Sequence, residues 1–277
     1  MDTTSTTSPV ADLLDTKLII ETLGDSTRQQ LHDIHHYQVI GSTNVAAMQG
    51  IEQGRRHGHV YLAEQQTAGR GRRGREWISP FASNIYMSMV WQFNGRSDIS
   101  ALSLAVGVAV CRALQSLNIA GVGLKWPNDI LASGKKLGGV LLEMQGDPSR
   151  ECQVVIGIGL NVLMADNHAA LITQPWVDVE TLCDGARPSR NQLVAAMLDA
   201  LVAVLGEYKQ GGFVALKDAW QALDVYAGAE VMVQLGDDYI FGTASGVDDS
   251  GALRLQTATG IQLFHGGEVS LRPKGAL

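Results

Sequence analysis

The spacing of apolar residues changes several times along the chain, and each change predicts an element. Between Asp12 and Leu23, Leu13, Leu14, Leu18, Ile19 and Leu23 recur at helical intervals, and Gly24 closes the run. Tyr37 to Ile40 predicts a strand. Gly41-Ser42-Thr43-Asn44 then predicts a loop capping a short helix that runs toward Gln53. Strands are expected at Val60 to Gln66 and at Asn84 to Phe93. Ser100 to Leu117 is apolar on most sides, which predicts a buried helix stopping near Asn118. Three strand-like runs follow: Val122 to Trp126 with Ile130 to Leu131, then Leu137 to Met144, then Gln153 to Leu163. The turns Ser133-Gly134-Lys135 and Gly146-Asp147-Pro148 are too short for crossovers, so neighbouring strands should be antiparallel. Asn191 to Tyr208 and Phe213 to Leu223 have helical period and length.

The pattern shifts after about Asp224. From Val231 to Leu271 short strands are separated by Gly236-Asp237-Asp238, Asp248-Asp249-Ser250-Gly251, Thr259-Gly260 and Gly266-Gly267, which suggests a small β-barrel. Before it, helices and strands mix without βαβ alternation. The expected fold class is α+β with a mainly antiparallel sheet. The expected organisation is a flexible tail over residues 1–11, a main domain over 12–223 and a small C-terminal domain over 224–277.

Composition narrows this picture. The 277 residues are 45% apolar and 18% charged, which predicts a packed core. No apolar run approaches the roughly 18–20 residues of a membrane span. Met1 to Pro9 is Thr/Ser-rich, lacks Lys and Arg, and reads as a loose tail and not a signal peptide. Three cysteines without CxxC spacing argue against a disulfide framework or zinc site, and point to a reducing cytoplasm. A net charge of -7 argues against a protein that coats nucleic acid.

Against that acidic background, Arg70, Arg72, Arg73 and Arg75 lie within six residues. The segment Gly69-Arg70-Gly71-Arg72-Arg73-Gly74 fits G-x-G-x-x-G literally, but a dinucleotide loop needs a helix to begin there, and Pro80 falls where that helix would continue. The side chains say more than the glycines. A loop this basic is either a solvated turn or a flap whose repulsion an anion relieves, phosphate being the natural candidate for guanidinium groups. Trp77 is either core or an aromatic plane against a ring. The glycines favour mobility until a ligand orders the loop.

Five segments occur in series: Gly41-Ser42-Thr43-Asn44, Glu64 to Gly74, Lys125-Trp126-Pro127-Asn128-Asp129, Lys136-Leu137-Gly138-Gly139 and Gly157-Ile158-Gly159-Leu160-Asn161. Together they resemble the biotin–protein ligases (biotin–[acetyl-CoA-carboxylase] ligases). The tail, from Gly246-Val247-Asp248 through Gly251-Ala252-Leu253 to Gly267-Glu268-Val269-Ser270-Leu271, resembles that family's C-terminal domain. The resemblance implies a catalytic domain like the class II aminoacyl-tRNA synthetases and a small SH3-like barrel. It implies ATP and biotin as substrates with Mg²⁺, formation of biotinyl-5′-AMP, and transfer to a lysine of a biotin carboxyl carrier protein. Only a short tail precedes Asp12, so a monofunctional enzyme without a winged helix is expected, with no operator DNA and no membrane as partners and a homodimer possible. A lipoate or octanoate ligase or transferase of the same fold is the alternative.

The resemblance also implies roles. Arg70, Gly71 and Arg72 belong to a loop over biotin and the acyl-phosphate, with Gln66 just before it. Arg75 and Trp77 fall near the adenylate. Lys136 matches the lysine that contacts carboxylate and α-phosphate oxygens, and with Arg70 and Arg72 is the expected catalyst; from the residues alone it reads first as a turn lysine next to Lys135. Ser42, Thr43 and Asn44 supply compact donors and acceptors for a neutral ureido ring, or else cap a helix. Lys125, Asn128 and Asp129 surround Pro127, which turns side chains toward the site. Asn161 ends a Gly-x-Gly strand where backbone approaches a ligand closely, near adenine. No residue forms a covalent-nucleophile constellation. His32, His35 and His36 have i, i+3, i+4 spacing, but solvent-facing histidines are expected there, not a metal site.

Overall fold

The computed structural model describes residues 12–94, 99–147, 149–164, 172–236, 238–266 and 269–273. The tail expected over residues 1–11, Pro148, Asp237, Gly267 and Glu268 of the expected turns and tail, and residues 274–277 of the expected C-terminal domain lie outside the described residues. Helices α1 (Thr16–Thr22) and α2 (Asp25–Gln30) open the chain. They are followed by β1 (Asp33–Ile40), α3 (Thr43–Glu52), β2 (His59–Gln66) and β3 (Ile85–Asn94). Next come α4 (Leu102–Ser116), β4 (Val122–Lys125), β5 (Asp129–Ala132), β6 (Lys135–Asp147) and β7 (Glu151–Leu160). The helices α5 (Val179–Leu182), α6 (Arg190–Gly211) and α7 (Lys217–Leu223) precede the short strands β8 (Glu230–Leu235), β9 (Asp238–Val247), β10 (Leu253–Thr257), β11 (Gly260–Phe264) and β12 (Val269–Pro273).

The larger sheet has seven strands in the order β1-β2-β3-β7-β6-β5-β4. β1 runs parallel to β2, and the other pairings are antiparallel. The β5–β6 hairpin turns on Ser133 and Gly134, both at positive φ, as a two-residue turn of this hand requires. The smaller sheet, β11-β10-β9-β8-β12, is antiparallel throughout its described pairings. The architecture is α+β, with one mixed sheet and one antiparallel C-terminal sheet.

Alternation decides what each face of the large sheet does. In β7, Val154, Ile156 and Ile158 join the main core with α4 and α6, while Val155 packs with Ala47 and Ile51 of α3 on the opposite face. Gly157 and Gly159 continue that opposite face. One face is thus packed by large side chains, and the other is stripped to backbone where α3 begins. Helix α4 is buried almost all round, as its apolar run predicts. Helix α6 starts in a capping box between Ser189 and Gln192. Among the described residues no helix is long and apolar enough to cross a membrane.

The smaller sheet is tied to the larger unit at defined points. The Trp126 indole N–H donates to the Gly251 carbonyl at 3.1 Å, the Val225 N–H to the Leu124 carbonyl at 3.0 Å, and Lys217 pairs with Asp249 at 2.7 Å. A Cβ on Gly251 would meet Ala101 Cβ at 2.5 Å, and Gly251 also has φ +79°, so glycine is required there on both counts.

Some expected elements move. The first helix begins at Thr16 and not Asp12, because Asp15 caps it through Lys17 and Leu18 N–H while Asp12 accepts from Arg187 and Arg190. The helix expected over Phe213 to Leu223 is a 3₁₀ turn, Phe213–Ala215, followed by α7. The strand expected at Tyr37 starts at Asp33, so His35 and His36 point to opposite faces and share no helical side. His35 stacks on His59 and lies 3.1 Å from it, with Asp33 3.5 Å away, so carboxylate support is present after all. Burial lowers the pKa of both His35 and His59. None of these histidines lines the cleft described next.

Candidate active site

A cleft of about 960 Å³ opens on the glycine-stripped face of β7. It gathers Ser42, Thr43, Asn44, Gln66, Arg70, Gly71, Arg72, Arg75, Trp77, Lys125, Asn128, Asp129, Lys136 and Asn161, all the ligand-site residues that the resemblance implied. They come from α3, β2, β4 to β7 and the arginine loop, so one strand face and its flanking turns converge on a single volume.

One end of the cleft is neutral and polar. Ser42 occupies the N-cap of α3, but its side chain makes no cap bond. Gln66 does that work from the next strand: its Oε1 accepts the Thr43 N–H at 2.8 Å and the Thr43 hydroxyl at 3.2 Å. Ser88 donates its hydroxyl toward Asn44 Oδ1 at 2.6 Å and lies 2.8 Å from Thr43 Oγ1. Asn44 then donates through Nδ2 to Glu143 at 2.8 Å. Ser42, Thr43 and Asn44 are each 4% exposed, so these polar atoms sit in a low-dielectric pocket where unpaired groups are costly. The close approach depends on Gly157, where a Cβ would fall 2.1 Å from Asn44 Oδ1.

The other end is cationic. Lys136 Nζ is 2.6 Å and Lys125 Nζ 3.4 Å from the carboxylate of Asp129. Burial pushes Asp129 up, but the two ammonium groups outweigh it and hold the carboxyl below the usual range. Burial lowers Lys125, and the nearby Lys136 adds to that shift while Asp129 opposes it. Arg72 donates to Asn128 Oδ1 at 2.9 Å, and Asn128 in turn donates to the Val140 carbonyl at 2.8 Å. Burial lowers Arg72 too, with Arg73 and Arg75 adding repulsion. One carboxylate therefore balances several crowded cations, which leaves this end short of negative charge.

Trp77 lies between the two ends. Its indole packs on the Gly159 backbone, where a Cβ would meet the ring at 2.6 Å. Lys136 Nζ stands 5.5 Å from the ring centre, in cation–π range. The indole N–H is buried without a hydrogen-bond partner.

The arginine loop is a narrow hairpin. Arg70 bridges Glu76, Gly71 N–H donates to the Arg75 carbonyl at 2.7 Å, and Trp77 N–H to the Gly69 carbonyl at 2.9 Å. Its tip, Arg72–Gly74, is a single 3₁₀ turn with Arg73 at φ +59°, so no helix begins there and a dinucleotide loop is excluded. Asn161 lines the cleft, but its Nδ2 serves the Lys136 and Val177 carbonyls at 3.3 and 3.2 Å, which fixes the backbone beneath Lys136.

Several lining or supporting residues escaped the sequence reading. Ser88 interrupts an apolar strand, and Glu143 interrupts another; a polar residue inside such a run is the signal that would have found them. Tyr226, Leu271 and Arg272 reach the cleft from the C-terminal region, a juxtaposition with no local signature.

Fold and site together define an enzyme class that joins an acid to an acceptor through a nucleotide. The comparisons agree. The profile of the Biotin/lipoate A/B protein ligase family matches residues 37–161, and that of the Biotin protein ligase C terminal domain matches residues 226–272. The bifunctional ligase/repressor BirA of Escherichia coli (strain K12) is 37% identical over 235 residues, 84% of this chain and 72% of that protein. The biotin–[acetyl-CoA-carboxylase] ligase of Mycobacterium tuberculosis is 33% identical over 239 residues, 83% of this chain and 85% of that one. Among solved structures, the biotin protein ligase from Aquifex aeolicus in complex with biotin and ATP superposes with a TM-score of 0.75 at 27% identity, covering 88% of this chain and all of that one. The chain belongs to the biotin protein ligase family.

Proposed function

We propose that this protein is an ATP-dependent biotin–[acetyl-CoA-carboxylase] ligase. A carboxylate oxygen of biotin attacks the α-phosphorus of ATP, the bond to the β-phosphate oxygen breaks, and pyrophosphate leaves. The amine of a carrier-protein lysine then attacks the acyl carbon of biotinyl-5′-AMP and AMP departs. The observation that carries this reading is the polarity of the cleft: a neutral end of buried polar side chains, with Thr43, Asn44 and Gln66 bonded in a network, and a cation-rich end on the same strand face.

The neutral end, Ser42, Thr43, Asn44 and Gln66, suits a ureido ring, which loses water on burial and needs fixed donors and acceptors in exchange. The cationic end suits the two anions that must meet. Lys136 is placed to take the carboxylate and α-phosphate oxygens, with Arg70, Gly71 and Arg72 closing over the mixed anhydride. Trp77 offers a plane to the adenine, with Arg75, Lys125, Asn128, Asp129 and Asn161 around the adenylate. Asp129 holds Lys136 and Lys125 in place before substrate arrives. Mg²⁺ fits as a companion of the triphosphate: its oxygen-ligand preference is met by phosphates and water, and Asp129 is already engaged by two ammonium groups. Residues 12–223 form the proposed catalytic unit, like the class II aminoacyl-tRNA synthetases. Residues 224–277 form the proposed SH3-like unit, which supplies Arg272 at the cleft.

Incubation with biotin, ATP-Mg and an apo carrier domain, followed by intact mass, tests the reading. The carrier should gain one biotinyl group only when ATP is present, and excess lipoate should not compete. An unchanged carrier mass would reject it.

A further inference from the structure

The hydrogen bonds at the neutral end do not stop there; they return to the arginine hairpin. Trp77, at the end of the hairpin, accepts from Ser79 Oγ through its carbonyl at 2.8 Å. Ser79 Oγ accepts from Gln66 Nε2 at 3.2 Å, and Gln66 Oε1 accepts from Thr43. Thr43 and Asn44 both meet Ser88. Asn44 donates to Glu143 Oε2, and Arg70 donates to Glu143 Oε1 at 2.9 Å and to Oε2 at 3.2 Å. Arg70 opens the hairpin whose other strand ends at Trp77. The relay thus leaves one end of the hairpin, passes through the polar pocket and re-enters at the other end.

Glu143 is the link in this ring that serves the pocket and the hairpin at once. It lies on β6 two residues beyond Leu141, on the strand face that carries Gly139 and Leu141 at the cleft. Its two oxygens satisfy a carboxamide inside the pocket and a guanidinium on the hairpin at the same time. Asn44 is 4% exposed, whereas the Arg70 side chain is 45% exposed. One carboxylate therefore joins a buried recognition residue to a surface loop. It also fixes the Asn44 carboxamide, with Nδ2 toward Glu143 and Oδ1 toward Ser88, because a reversed amide would set oxygen against carboxylate.

We infer that Glu143 is a positioning residue that couples seating of the ureido ring against Asn44 to closure of the arginine hairpin through Arg70. Anything that orders Asn44 then favours the docked hairpin, and the docked hairpin favours the ordered Asn44. The link to biotin rests on the ligase reading; the link between Asn44 and the hairpin does not.

Two variants separate the parts. Glu143→Gln keeps the shape and an acceptor for Asn44 but loses the charge facing Arg70, and Glu143→Ala loses both. Trypsin cleavage between Gly69 and Arg75 in ligand-free protein should speed up about threefold or more in each variant, because the docked hairpin loses its anchor. In biotin-dependent ATP–pyrophosphate exchange, KM for biotin should rise about tenfold or more in Glu143→Ala and less in Glu143→Gln, with KM for ATP within about twofold. A merely structural glutamate would instead lower thermal stability and disturb both substrates alike. Wild-type exchange that ignores biotin would reject the ligase reading and leave the cleavage comparison to judge the latch. Cleavage rates and, where exchange is biotin-dependent, biotin KM values within about twofold of wild type in both variants would overturn the latch.

Discussion

The two ends of the cleft are built on opposite principles. At the neutral end, polar side chains are buried and mostly bonded to one another, and the strand beneath them is bare at Gly157. At the cationic end, side chains are long and half-shielded, and several positive charges share Asp129. A preorganised pocket of the first kind selects a shape. A charge-imbalanced pocket of the second kind stays incomplete until an anion arrives. The contrast teaches that recognition here is paid for during folding, while charge stabilisation is held in reserve for the reaction.

The largest effect is expected behind the neutral end. Arg190, at the start of α6, and Glu64, on the strand that carries Gln66, form a fully buried pair at 2.7 Å. Arg190→Ala leaves the buried Glu64 carboxylate with only the Leu14 N–H at 2.7 Å and the His36 ring at 3.3 Å, and should cost about 3–5 kcal/mol, measured by urea denaturation. A loss below about 1 kcal/mol would mean that Leu14 and His36 suffice to hold the Glu64 charge. At the cationic end, Lys136→Ala should lower biotin-dependent pyrophosphate release about 10²–10³-fold while circular dichroism stays unchanged. A near-normal rate would break the assignment of charge stabilisation to that end.

Gly157→Ala sharpens the comparison further. The new methyl must displace the Asn44 carboxamide, so KM for biotin should rise by up to about a hundredfold with KM for ATP little changed. Equal changes in both constants would show that the two ends are not separable. The smallest effect is expected at Asp224, where the chain leaves α7 for the smaller sheet. Burial raises its carboxyl above the ordinary 3.8, opposed by the Tyr226 N–H, and Oδ2 is buried without a partner. The folded state therefore prefers the protonated acid and gains stability as pH falls through the raised value. Asp224→Asn should raise Tm at pH 7, and its advantage should shrink as the pH is lowered and vanish once both states bind the proton; a Tm difference independent of pH would contradict this.

Much of the site was legible before any coordinates. Short-range chemistry is written locally: Gly157-Ile158-Gly159-Leu160 alternates bare and bulky positions, so a strand with one stripped face follows from the pattern itself. The Arg70 to Arg75 cluster marked a segment whose self-repulsion needs relief, by solvent or by an anion, and in the fold Glu143 supplies part of it to Arg70. The histidines misled for the converse reason. His32, His35 and His36 suit a helix by spacing, but β-branched Val39 and Ile40 and pairing with β2 extend the strand back to Asp33, and His59 joins them from 24 residues beyond His35.

The sequence by itself determined most of the elements, that the chain is α+β with an antiparallel tail, and the positive charge of the arginine loop, Lys125 and Lys136, because period, turn chemistry and charge density are properties of neighbours in the chain. Only the tertiary structure decided that Gln66 caps α3, that Glu143 clasps both Asn44 and Arg70, and that Arg272 reaches the cleft from the second sheet. Those contacts span up to a hundred residues or more, and nothing local distinguishes their partners: a hydrogen bond depends on where two atoms meet, and sheet register alone sets that.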